Sequence, residues 1–308
     1  MTTTTVETED PRMPCVRGDT RVIGVFGHPV SHSLSPVMHN SALAALGLPY
    51  VYIPFAVTPD GLGTALRALA ALGIVGVNLT IPHKVSALPF LDETTQEVRD
   101  VGAVNTVHCV NGRLLGDNTD GFGFYEPLSE LSAAKMGSEA VVLGAGGAAR
   151  SVAFQLARAG VRLTLANRTP ERGSRLIECL AEAGLDRCAA GRHLALPLDD
   201  ADGIAHALGA ANLLVNTTRV GMVPDHSGPP PVSPRSLHKG LVVYDLIYNP
   251  IESTLLKEAR ARGCRTLNGV KMLVYQGAAA FQRWTGHWPP TEIMEAAVLQ
   301  ALAGRAIG

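Results

Sequence analysis

Charge is scarce in this chain of 308 residues: Asp, Glu, Lys and Arg together make up 17%, and they nearly cancel to a formal net charge of −1. So even a balance gives no electrostatic case for nucleic acid or an anionic membrane as a partner. Long apolar runs are missing too. No window of about 18 residues is uninterruptedly apolar, so no segment is expected to span a membrane. The first ten residues, with threonine at positions 2 to 5, contain neither a basic region nor an apolar one and do not read as a secretory signal. Residues 1–19 are expected to form a disordered tail. Cysteine is limited to Cys15, Cys109, Cys179, Cys188 and Cys264, an odd and widely spaced set. No pair has zinc-ligand spacing and no disulfide framework emerges, so the expectation is free thiols in a cytoplasmic protein without a metal site.

Apolar residues, in contrast, reach 46%, enough for a sizeable core, and the length suits two domains. The first 115 or so residues read as α/β. Arg21–Gly27, Tyr50–Phe55 and Gly73–Thr80 have the character of strands, with helices expected from Ser35 to about Leu46 and over 60–72. Pro36 sits where a first helical residue belongs, and Gly47 is a natural stop. Two segments joined at Asn111-Gly112 look like a hairpin, which gives this half at least one antiparallel pair. From 139 to 268 the pattern changes to regular alternation, with strands at 140–143, 161–166, 212–217, 241–246 and 264–267 and helices to 159, over 170–183 and over 252–262. That is the pattern of a doubly wound parallel sheet. The segment 271–304 reads as two helices parted by Trp288-Pro289-Pro290, and 228–234 as a surface loop.

The first strand of the second half runs into Gly144-Ala145-Gly146-Gly147-Ala148-Ala149, which opens a helix. Gly144 permits the tight turn, Gly146 lets backbone approach a pyrophosphate, and Ala149 allows close packing of helix on strand, with phosphates held at the helix N-terminus. The following strand ends at Asn167-Arg168-Thr169. An NAD enzyme typically carries a carboxylate there for the ribose 2′-hydroxyl, whereas this chain has Arg168, with Arg172 one turn later. Two guanidinium groups suit the 2′-phosphate of NADP; the plain alternative is a solvated, charged helix start.

Upstream of that loop lies a polar cluster. Ser33 and Ser35 stand two residues apart on a tight loop, where they could donate to a carboxylate, although a serine before proline is as readily a helix cap. Asn78, Thr80 and Lys84 lie at a strand end and its turn, Asn105 at the start of another strand, and Asp120 where the chain leaves the first half. Each alone fits a turn or a surface charge. Together, hydroxyls, amides, one cation and one anion suit a small polyhydroxylated acid.

The chain resembles the shikimate dehydrogenase family. The matching stretches are Gly27-His28-Pro29, His32-Ser33-Leu34-Ser35-Pro36, Met38-His39-Asn40, Asn78-Leu79-Thr80-Ile81-Pro82-His83-Lys84, Gly102-Ala103-Val104-Asn105-Thr106 and Asn118-Thr119-Asp120-Gly121. They continue through the glycine loop, Asn167-Arg168-Thr169, Tyr248-Asn249-Pro250 and Met272-Leu273-Val274-Tyr275-Gln276-Gly277, in family order over roughly residues 20–300. The resemblance implies a substrate domain of residues 20–119 and 270–308, its last helices returning to the first half, and a Rossmann-type NADP domain of residues 120–269. It implies that Lys84 and Asp120 are the catalytic pair and that Ser33 and Ser35 hold the substrate carboxylate, with Tyr248 near it. Asn78, Thr80, Asn105 and Gln276 are then the hydroxyl-binding residues. Cofactor contacts are implied for Gly144, Ala145, Gly146, Gly147, Ala148, Asn167, Arg168, Thr169 and Arg172, and expected for Thr217 and Gly269. One departure stands out: Arg219, in Asn216-Thr217-Thr218-Arg219-Val220-Gly221-Met222, occupies a position where the family usually has a small residue.

The activity so implied is the reversible NADP-dependent reduction of 3-dehydroshikimate to shikimate in aromatic amino-acid biosynthesis. Lys84 would handle the proton of the reacting hydroxyl, and Asp120 would bind the same hydroxyl and orient the lysine. The expected partners are small molecules alone, with no nucleic acid and no membrane, for a monomer or homodimer. Two alternatives remain: an NAD-linked quinate or quinate/shikimate dehydrogenase, against which Ser33, Ser35 and the two arginines argue, and a non-catalytic nucleotide-binding regulatory protein, against which the retention of both Lys84 and Asp120 argues.

Overall fold

A computed structural model describes residues 16–129, 131, 138–223 and 228–305. Most of the tail expected over 1–19 therefore lies outside the described residues.

The first half lays down β1 (Arg21–Gly27), α1 (Ser35–Ala45), β2 (Tyr50–Ala56), α2 (Leu62–Ala71) and β3 (Ile74–Leu79). The short elements α3 (His83–Ser86), β4 (Glu93–Thr94) and α4 (Gln96–Val101) follow, then the hairpin of β5 (Thr106–Val110) and β6 (Arg113–Asp117). Asn111 and Gly112 turn that hairpin with φ of 50° and 80°, the left-handed pair that a two-residue turn needs. The sheet order is β2-β1-β3-β5-β6-β4. β1 runs parallel to β2 and β3, whereas β5 is antiparallel to both β3 and β6. All six residues of β3 are buried, as a central strand covered on both faces requires. The cap of α1 is Leu34, without a side-chain bond, so Ser35 is the first helical residue and not the cap.

α5 (Asp120–Ser129) leads from this sheet into the second. Next come β7 (Glu139–Leu143), α6 (Gly147–Arg158), β8 (Arg162–Asn167), α7 (Pro170–Glu182) and a small hairpin of β9 (Arg187–Cys188) and β10 (Gly191–Arg192). The half is completed by β11 (Leu194–Pro197), α8 (Ala201–Ala210), β12 (Leu213–Asn216), β13 (Val242–Asp245), α9 (Thr254–Ala261) and β14 (Arg265–Leu267). Its sheet is parallel throughout, in the order β11-β8-β7-β12-β13-β14. Counted within the half, that is 3-2-1-4-5-6, the doubly wound order, whose crevice opens at the carboxyl ends of the two strands flanking the switch point, β7 and β12. Ser253 and Asp200 cap α9 and α8 by accepting from Leu256 N–H and Gly203 N–H.

The last two helices, α10 (Val270–Thr285) and α11 (Thr291–Arg305), return to the first sheet. Trp284 Nε1 donates to the carbonyl of Val107 at 3.1 Å, and Phe281, Met294, Val298 and Leu302 share one buried cluster with Ile23, Val25, Met38 and Tyr52. α10 also crosses α5, where a side chain on Gly123 would meet the backbone nitrogen of Gln276 at 2.6 Å. That close approach brings Gln276 over the start of α5.

Candidate active site

β3 ends at Leu79, and the chain turns through Thr80, Ile81 and Pro82 into the single turn of α3. His83 N–H donates to the Thr80 carbonyl, and the Lys84 carbonyl accepts from Val104 N–H, each at 2.8 Å, so the backbone carrying Lys84 is pinned on both sides. Asp120 opens α5, its own N–H donating to Asn118 Oδ1 at 3.0 Å. Lys84 Nζ donates to Asp120 Oδ2 at 2.5 Å, with the lysine side chain 20% exposed and the carboxylate 4%. Asn105 Nδ2 donates to the other oxygen, Oδ1, at 2.9 Å. A buried carboxylate is tolerated when its lone pairs are met in this way. Among the described residues Asp120 is the one hydrogen-bond partner of the ammonium, which leaves two N–H bonds for a ligand. The neighbouring His83 is turned away: its Nε2 lies 2.8 Å from the Val57 carbonyl, and burial holds its pKa below the usual value.

Lys84 and Asp120 open into a cleft of about 180 Å³. Ser33, Ser35, Asn78, Thr80, Tyr248 and Gln276 line it with polar groups, and Met272 and Leu273 add apolar surface. Two expected ligand-binding residues are heavily engaged inside the protein. Asn105 lies behind the wall, 1% exposed, with its side-chain Nδ2 within reach of Asp120, Thr119 Oγ1 and Gln276 Oε1 and its Oδ1 accepting Thr119 N–H at 2.8 Å. Asn78 is on the wall, yet Nδ2 donates to the Asn105 carbonyl and Thr106 Oγ1, and Oδ1 accepts from the Tyr52 hydroxyl at 2.7 Å. Gly269, expected at the cofactor, lines this cleft. A side chain there would sit 2.0 Å from the Leu246 carbonyl oxygen, so the glycine lets α10 begin directly against the end of β13.

A larger groove of about 780 Å³ follows the carboxyl ends of β7, β8 and β12. The glycine loop from Gly144 to Ala148 lines it, together with Asn167, Arg168 and Arg172 after β8 and Thr217 with Arg219 after β12. Gly144 has φ of +108°, and a side chain there would meet Thr217 Oγ1 at 2.4 Å, which explains the first glycine. Around Gly146 an added Cβ would meet no protein atom within 4 Å, so this backbone faces the open groove. Gly146 also caps α6 without a side-chain bond, leaving the helix N-terminus for an anion. Neither Arg168 nor Arg172 has an ion-pair partner among the described residues. Backbone donors at one end and two guanidinium groups at the other fit a dinucleotide with an extra phosphate. Thr169 stands outside the groove lining as the N-cap of α7, and its carbonyl accepts from Asn167 Nδ2 at 2.8 Å. The Thr217 hydroxyl is spent on the Leu143 carbonyl at 2.6 Å.

Cleft and groove share three residues, Thr80, Lys84 and Ala148. The ammonium therefore stands where a ligand in one would meet a ligand in the other, as transfer of hydride and proton to adjacent atoms demands. Sequence reasoning leaves out several contributors. Thr119 donates to the Gln276 carbonyl at 2.9 Å, tying α5 to α10, and Ser151 Oγ donates to Asn118 Oδ1 at 3.2 Å, tying α6 to the turn before Asp120. Asn118 and Thr119 stand inside a run quoted for its aspartate; Ser151, in mid-helix, carries no signal of its own.

Comparison with known proteins gives three family-level matches: the shikimate dehydrogenase substrate binding domain over residues 25–107, shikimate / quinate 5-dehydrogenase over 128–232, and the shikimate 5′-dehydrogenase C-terminal domain over 269–299. A shikimate dehydrogenase (NADP(+)) of Methanopyrus kandleri is 47% identical over 290 residues, covering 93% of this chain and 98% of that protein. A crystal structure of shikimate dehydrogenase in complex with NADP+ superposes with a TM-score of 0.88 at 41% identity, covering 94% of this chain and 98% of the other. Shikimate 5-dehydrogenase of Thermus thermophilus, in complex with NADP(H) and shikimate, gives 0.79 at 40% identity, covering 92% and 100%.

Proposed function

The chain belongs to the shikimate dehydrogenase family, and from that premise we propose that it catalyses the reversible, NADP-dependent reduction of 3-dehydroshikimate to shikimate. The observation that carries the reading is the Lys84–Asp120 pair at the junction of cleft and groove.

When bound, NADPH supplies hydride to the ring ketone. The charge that builds on the ketone oxygen is met by the Lys84 ammonium, which gives up a proton to complete the hydroxyl. Asp120 accepts a hydrogen bond from the same hydroxyl and holds the ammonium in line. Ser33 and Ser35 bind the carboxylate, with Tyr248 beside it, while Thr80, Asn78 and Gln276 receive the remaining hydroxyls. Asn105 acts through the orientation of Asp120 and Gln276. The glycine loop takes the pyrophosphate, and Arg168 with Arg172 takes the 2′-phosphate, between Asn167 and the Thr217 loop. In this reading residues 20–119 and 270–308 form the substrate domain and 120–269 the NADP domain. It further places the enzyme in the cytoplasm, as a monomer or homodimer with no nucleic-acid partner. The near-neutral charge and the four free cysteines among the described residues support that placement.

The matched family description covers quinate as well as shikimate; the two arginines favour NADP, and with it shikimate. The deciding measurement is initial rate with NADP and NAD, each against shikimate and quinate. The highest kcat/KM is expected for shikimate with NADP. A preference for quinate with NAD overturns the assignment, as does tight NADP binding with no shikimate-dependent formation of reduced nicotinamide.

A further inference from the structure

At the end of β13, outside the catalytic pair, lies a second buried carboxylate. Asp245 is 0% exposed, and no cation pairs with it among the described residues. Its partners are all donors: Asn216 Nδ2 at 2.9 Å and Ile247 N–H at 3.2 Å to Oδ1, and Ser253 Oγ at 2.5 Å to Oδ2. Burial without a cation raises its pKa, to about 6. A buried charge is costly to keep, and an apolar pair of equal volume would stabilise the sheet at least as well. What a carboxylate offers is acceptor capacity on both oxygens; an amide would turn an N–H toward one of the three donors.

Each of the three bonds leads to a wall of the site. Asn216, held through its amide, uses Oδ1 to accept Thr218 N–H at 3.0 Å and Thr218 Oγ1 at 2.7 Å, which curls residues 217–220 into the side of the groove. Ile247, held through its N–H, lies between Leu246 and Tyr248, both on the cleft, and its carbonyl accepts Gly269 N–H at 2.9 Å. Ser253 caps α9 and closes the loop that carries Tyr248. Asn216 and Asp245 also face each other across the β12–β13 ladder.

We propose that Asp245 is a positioning residue for hydride transfer: a single carboxylate fixes the groove loop 217–220 relative to the cleft segment 246–248, and so sets cofactor and substrate at one separation. The proposal rests on the function proposed above, and it predicts that binding of both ligands changes together.

The test uses the full chain and Asp245→Asn, which keeps the side-chain volume. Calorimetric titration with NADP alone and with shikimate alone is expected to show both Kd values raised, and kcat with both present lowered about tenfold, because a small misplacement of reacting groups is costly. A purely structural aspartate would lower Tm and leave both Kd values and kcat unchanged at temperatures where the variant is folded, and that result overturns the proposal. Should Asp245→Asn fail to fold, Ser253→Ala removes one of the three donors together with the α9 cap, and the same paired weakening is expected; weakening toward one ligand alone overturns it. The two Kd values also separate this idea from the function itself: a wild-type chain that binds both ligands but turns neither over refutes the function, while the positioning role is still read from binding.

Discussion

The Lys84 ammonium and the Asp120 carboxylate meet at 2.5 Å, one on the single turn of α3 after β3, the other at the head of the helix that leads to the second sheet. Replacing Lys84 by Ala removes the proton donor and leaves the cleft's other polar groups in place. Turnover is expected to fall by about 10²–10⁴ with a modest change in KM for shikimate. Steady-state kinetics check this, and unchanged turnover removes Lys84 from the mechanism.

Asn105→Ala withdraws the donor to Asp120 Oδ1 and the acceptor of Thr119 N–H, both in a buried setting. Each orphaned group costs about 1–3 kcal/mol. Both the urea midpoint and kcat are expected to drop, and a lowered midpoint with unchanged kcat would mean that Asp120 does not depend on Asn105 for its orientation.

Arg168→Ala should discriminate between cofactors. A charge-assisted bond to a phosphate contributes about 1.5–3 kcal/mol, so kcat/KM with NADP should fall roughly 10- to 100-fold while the rate with NAD hardly changes. Parallel assays with the two cofactors decide it; equal losses would place Arg168 at a part of the dinucleotide that both share.

Asp245 makes a pH-dependent contribution with an unusual sign. Its folded-state pKa is pushed up to about 6 by burial, above the value of 3.8 for a free aspartate. The folded protein then holds more protons than the unfolded chain between those values, so this group's contribution favours folding below about pH 4 and is lost as pH rises through 6. The stability difference between wild type and Asp245→Asn should therefore move in favour of the variant by up to about 3 kcal/mol from pH 4 to 7. Urea melts across that range measure it, and a difference that is flat with pH would mean the carboxyl does not titrate there.

Much of this layout is legible in the sequence because strong local signals coincide with function. Gly144 must turn with positive φ, Pro36 must sit at a helix start, and Asn111-Gly112 must make a tight hairpin. Elements whose local signals conflict escape such a reading. α5 contains Gly121, Gly123 and Pro127, each unfavourable within a helix; it holds because its buried face packs on α10 and α6. β11 is four residues ending in Pro197, an edge strand too short to show a period. Within the site, the residues on the walls can be named from their types, but not which of them spend their hydrogen bonds internally. Asn78 and Asn105 look alike in sequence, yet one faces the cleft and the other stands behind it, a distinction set by long-range partners such as Tyr52 and Gln276. The packing of α10 against Leu246, which requires glycine at 269, likewise joins segments far apart in the chain.

The return of α10 and α11 to the first sheet has a consequence for how the protein is made. Strands β1 to β3 leave the ribosome well before α10 and α11, yet the apolar face formed by Ile23, Val25 and Tyr52 is shared with Phe281, Met294, Val298 and Leu302 of those helices. Throughout synthesis of the intervening residues that face has only α1, through Met38 and Leu43, as its cover, while the parallel sheet from β7 to β14 can already close on its own helices. The half made first is thus the last to be sealed, and an interrupted chain would carry an assembled nucleotide fold beside an exposed, aggregation-prone sheet.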